Sequence, residues 1–193
     1  GRSEQGTIRL KYVLYVGAIT LWSGSNFLFS VTRNRDASYA FCQLLHLGAV
    51  FIPIFLLDFV HEHFKINHRI FRAEKYAGYF ISAAFALLLI LSPTLFIQSV
   101  SPKRVFIYFP DAGVLYPYWM TLFFYLVCSA HMKMLYVYFR SRGEDRNKLG
   151  YFVFPSLIAY TGCLSYFLPV YDLFFPPYPW GSMGSAALPF IFG

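Results

Sequence analysis

Hydrophobic residues fall along this chain in long unbroken runs rather than in alternation. Five runs approach membrane length, at about 12–31, 40–60, 77–97, 116–139 and 151–170. None alternates with period two, and each is too long for a half-buried strand. In hydrocarbon every backbone amide must bond within its own segment, so runs of this length predict helices. A membrane β-barrel would need alternating runs of about ten residues. The pattern therefore predicts an all-α integral membrane protein, a polytopic bundle read as one domain over 1–193. A sixth apolar run, 185–193, stops at Gly193, well short of the roughly 20 residues a crossing takes. It reads as a partial span, with more chain expected downstream.

Between the runs the polar residues are uneven. The flank before the first run carries Arg2, Arg9 and Lys11. The second–third linker carries Lys65, Arg69, Arg72 and Lys75, and the fourth–fifth linker Arg140, Arg142, Arg146 and Lys148. These eleven bases fall on one side of an alternating topology. Arg33, Arg35, Lys103 and Arg104 make four on the other. The bias places the N-terminal flank in the cytoplasm, so chain beyond Gly193 would emerge there too. The 98–115 loop and the start of span four read VFIYF, then PDAG, then VLYPYW. Two β-prone runs about a Pro-Asp-Ala-Gly turn predict a small β-hairpin on the outer side. The other outer loop, 171–184, is rich in proline and interfacial aromatics.

Composition agrees with this reading. Of 193 residues, 58% are apolar, 22% aromatic and only 13% charged, against roughly 25% charged in soluble domains. The net charge of +7 follows the topology, so no nucleic-acid partner is expected. Cys42, Cys128 and Cys163 all lie in apolar runs without a CxxC spacing, and read as free structural thiols.

Ionisable residues inside spans are few, which makes them the candidates for function. His46 and Asp58 share span two, twelve residues apart, or about 18 Å along a helix, too far to pair. His46 is the deepest; a hydrogen bond to nearby backbone or hydroxyl competes with a proton- or ligand-sensing role. Asp58 is expected to meet headgroups or a basic partner. His131 and Lys133 lie near the inner end of span four, where Lys133 is expected to snorkel to the surface. His61, Glu62, His63 and His68 cluster just past span two without metal-ligand spacing, so no metal site is expected. Pro53 and Pro155 lie within spans, and Pro93 interrupts span three. No nucleophile–base pair, phosphate loop or cofactor box occurs. No catalytic residue and no cofactor are expected.

Four stretches together carry a resemblance: the Trp-bearing run at 12–31; LGAVFIPIFLLDF at 47–59; the stretch from the 98–115 loop through GVLYPY into span four and on to SRGEDRNKLGYF; and GCLSYFLPVYDLFFPPYPWG from Gly162 onward. The chain resembles the N-terminal seven-helix membrane region of bacterial sensor histidine kinases, also found on diguanylate cyclases. The resemblance implies that the family's first helix is missing and its seventh cut at Gly193. It implies a sensory input module in the bacterial cytoplasmic membrane, acting as a homodimer, with its output domain downstream. The alternative is a non-catalytic subunit of a larger membrane assembly, held by lipid and by other membrane subunits.

Overall fold

The computed structural model describes residues 2–66, 68–103 and 106–173. The partial span at 185–193 and nearly all of the proline loop at 171–184 lie outside the described residues. Among the described residues five long helices form in order: α1 (Arg2–Val31), α2 (Arg35–His63), α3 (Arg69–Leu91), α4 (Tyr116–Arg140) and α5 (Gly143–Phe167). Each is long and apolar enough to cross a membrane. Two strands, β1 (Ile97–Lys103) and β2 (Phe106–Ala112), lie between α3 and α4. The chain divides into two compact units, Gly1–Cys128 and Ser129–Gly193, with the boundary inside α4.

In the first unit, α1 and α2 make the most extensive helix pairing. Gly48 permits it: a Cβ there would lie 2.9 Å from both the Ala18 carbonyl oxygen and the Trp22 amide. The two backbones can approach that closely only where no side chain intervenes. Asn34 starts α2, its side chain accepting from the Ala37 amide at 3.0 Å, which satisfies one of the helix's free donors. Pro53 and Pro155 lie inside α2 and α5.

Span three needs correction at both ends. The helix begins at Arg69 and stops at Leu91, so Pro93 follows the helix and does not interrupt it. Proline disfavours helical backbone in the residue before it. Ser92 accordingly sits at φ −144°, ψ 64°, and Pro93–Leu95 form a short 3₁₀ turn. The charged flanks are also helical: α1 includes Arg2 to Lys11, and α5 includes most of the basic fourth–fifth linker. Only Ser141 and Arg142 separate α4 from α5, and Gly143 takes a left-handed φ of 59° to make the reversal.

β1 and β2 pair antiparallel, from Ile97 opposite Ala112 to Lys103 opposite Phe106. This ladder does not use the turn that the sequence pointed to. Pro110, Asp111 and Ala112 close β2, and the YPYW segment begins α4. Asp111 is held inside the ladder by β1. Ser99 and Ser101 donate to it at 2.5 and 2.9 Å, and Lys103 pairs with it at 3.0 Å.

In the second unit, α5 opens with Glu144 and Asp145 in its first turn, where acids favour the helix dipole. Val153, Ser156, Ala159 and Tyr160 form its buried face.

Candidate functional site

The first unit gathers polar side chains at two levels along α2. At one, Asp58 projects from near the end of the helix and is fully buried. Lys11 of α1 lies 2.5 Å from its Oδ2, and Lys75 of α3 lies 3.1 Å from its Oδ1. The Tyr79 hydroxyl, one turn beyond Lys75 on α3, donates to Oδ2 at 2.5 Å. One carboxylate thus joins three helices, and Lys11 also lies over the Tyr79 ring at 5.9 Å. A buried carboxylate without partners would be very costly. Two ammonium groups and a phenol meet that need here.

At the other level, toward the start of α2, His46 is buried in an aromatic cage. Phe96, Tyr116 and Trp119 each approach its ring edge-on, with centroids 5.6 Å away. Its Nδ1–H donates to the Cys42 carbonyl at 2.8 Å. That leaves Nε2 to accept from the Tyr116 hydroxyl, 3.4 Å away. Phe96 precedes β1 and Tyr116 opens α4, so the cage joins α2 to both ends of the strand pair. Two further bonds tie the strands to α2. Tyr39 donates to the Ile97 carbonyl at 3.0 Å, and Arg35 Nε to the Val100 carbonyl at 3.2 Å. Phe29 of α1 meets Phe109 of β2 edge-on.

His46 and Asp58 therefore stay apart, each in its own cluster. His131 lies in the second unit, buried, with Nε2 3.1 Å from the Ser156 hydroxyl, which donates onward to the Val153 carbonyl. Lys133 needs correction. It does not reach for the surface: it is 8% exposed and turns back one helical turn to Ser129, at 2.5 Å. Side chains on a helix lean toward its N-terminus, which carries the Lys133 ammonium to the Ser129 hydroxyl. The His61–His68 group disperses. His61 packs near Phe71, His63 stacks on Phe59, and His68 caps α3 by accepting from the Ile70 amide. The three cysteines are free thiols.

Lys11 and Lys75 belong to this site although neither stood out as a site residue in the sequence. The signal was present: each lies at the edge of an apolar run, at the depth where Asp58 sits near the end of its own run.

Five helices long and apolar enough to cross a membrane among the described residues, with lipid-compatible outer surfaces and buried polar clusters between elements, define a multi-pass helical membrane domain. Phe80, exposed at 78%, and Ile158, at 72%, are typical of those outer surfaces. The profile of the family described as the N-terminal 7TM region of histidine kinase matches residues 2–193. The chain belongs to that family, a class of sensory input regions. No curated protein and no solved structure gives a significant match.

Proposed function

We propose that this chain senses an outer or intramembrane stimulus in a bacterial cytoplasmic membrane and passes it, as a homodimer, to a cytoplasmic output domain. The family membership carries the reading. The N-terminal flank is cytoplasmic on the strength of the eleven-to-four distribution of bases. On that orientation the strand pair lies outside and the Asp58 cluster at the inner end. The geometry supports a route between them. A stimulus that displaces β1 and β2 changes the contacts of Tyr39, Arg35 and His46, all on α2. The far end of the same helix holds α1 and α3 through Asp58. A ligand biases such an element only by binding its two arrangements unequally.

The test is a chimaera in which the apolar run from 185 is completed to a full transmembrane helix and joined on its cytoplasmic side to a histidine-kinase output domain. Its autophosphorylation is followed in membranes for the parent and for Tyr39→Phe with Arg35→Gln, which loosens the strand pair from α2. A changed phosphorylation level is expected, with protein amount in the membrane unchanged. Identical phosphorylation would sink the signalling reading and favour a subunit role.

A further inference from the structure

We propose that the cavity beside the Asp58 cluster binds a phosphate group. The cavity holds about 340 Å³ and is lined by Ile8 of α1, His61 and Glu62 of α2, Lys65 and Ile66 of the connection, and Arg72 and Lys75 of α3. Pockets of this size take small ligands or headgroups. Three cations face one carboxylate, so the lining carries a net charge of +2 with His61 neutral. The adjoining Asp58 and Lys11 cancel each other and leave that balance unchanged.

Three observations point to an anion. First, the cations converge from two directions, with Lys65 on the connection and Arg72 and Lys75 one turn apart on α3. Arg supplies a planar fork suited to phosphate, and Lys supplies point charges. Second, Lys65 takes a left-handed backbone, φ 53°, at the end of α2, a position where Gly or Asn is the usual residue. A long cation there is held against backbone preference. The turn is fixed around it: the Phe64 amide bonds the Val60 carbonyl, and the Ile66 amide bonds the His61 carbonyl. Third, Lys75 both lines the cavity and pairs with Asp58. A bound phosphate competes with Asp58 for Lys75 while Lys11 and Tyr79 still hold the carboxylate. Occupancy is thereby linked to the packing of α3 on α2. Ile8 and Ile66 add apolar walls that suit the first carbons of a lipid's acyl chains. A free phosphate would use the cations alone.

The site does not depend on the sensory reading, and its test measures binding only. The full chain in detergent micelles is titrated with phosphatidylglycerol, read by native mass spectrometry, and separately with inorganic phosphate, read by thermal shift. The binding variant is Lys65→Asn with Arg72→Gln; Asn tolerates the left-handed backbone. The control removes two charges elsewhere, by Arg146→Gln with Lys148→Gln. Phosphatidylglycerol binding that falls about tenfold in the variant, holds in the control and resists inorganic phosphate identifies a lipid headgroup. Stabilisation by inorganic phosphate that is lost only in the variant identifies the free anion. Glu62→Gln removes the opposing carboxylate and is expected to tighten whichever ligand binds, a gain that misfolding cannot produce. Equal binding in the parent and the Lys65/Arg72 variant, or weaker binding in Glu62→Gln, overturns the proposal.

Discussion

Replacing Asp58 by Asn keeps the side chain's shape and removes the charge that two lysines share. Removing one partner of a buried ion pair costs about 3–5 kcal/mol when the other charge stays buried. Here Lys11 and Lys75 retain 24% and 19% exposure, so each can turn its ammonium to water once released. That lowers the expected loss for Asp58→Asn to about 2–3 kcal/mol. Tyr79→Phe deletes a hydrogen bond to a charged acceptor, worth about 1.5–3 kcal/mol. In the Asp58→Asn background the same deletion removes only a neutral bond, worth about 0.5–1.5 kcal/mol. The two substitutions should therefore couple by roughly 1 kcal/mol. Helix content followed by circular dichroism, as mild detergent is replaced by a denaturing one, gives the four stabilities of the cycle. Parent-like stability of Asp58→Asn, or losses that add to within about 0.3–0.5 kcal/mol, would refute the three-helix junction.

Other consequences can be measured in the same material. Gly48→Val puts side-chain atoms into the Ala18 and Trp22 backbone. It should cost about 1–3 kcal/mol in the same unfolding assay, whereas Gly17→Ala, which meets nothing within 4 Å, should be tolerated. His46→Ala empties the cage beside Trp119, and a loss on the order of 2 kcal/mol should accompany a red shift of the tryptophan emission. Asp111 supplies a pH test. Burial raises its pKa, but hydrogen bonds from Ser99, Lys103 and Ser101, with the Lys103 charge, outweigh burial and hold it below the ordinary 3.8. A carboxylate depressed on folding stabilises fully above its unfolded value and loses that contribution as pH falls through the folded one. The β1–β2 amides should thus stay protected from hydrogen exchange near neutral pH and open below about pH 4. Asp111→Asn should flatten that dependence.

The helices were legible in the sequence because a membrane demands apolar runs of near-constant length. Span four, read at 116–139, is α4 to within a residue. Their polar ends were not legible. Hydropathy stops where lipid stops, but backbone hydrogen bonding continues through Arg2 to Lys11 and through Glu144 to Lys148. The ladder was misplaced because PDAG has the composition of a turn. The Asp111 side chain instead bonds across to β1, which only the pairing reveals. His46 and Asp58 stood out as polar residues in an apolar span. Their partners did not, because Tyr116, Lys11 and Lys75 are unremarkable interfacial residues until the helices pack. Distance to the helix end alone points Lys133 to the surface, but the Ser129 hydroxyl one turn behind it offers the ammonium a nearer partner.

The proposed topology puts the strand pair and the α4–α5 turn on opposite sides of the bilayer. Single cysteines at Ile107 and at Arg142, in a chain with Cys42, Cys128 and Cys163 replaced by alanine, test it in intact bacterial cells with a membrane-impermeant thiol reagent. The cysteine at 107 is expected to react in intact cells, and the one at 142 only after the cells are opened. Labelling at 142 with protection at 107 would invert the orientation, and labelling of both in intact cells would contradict the crossing of the membrane between them.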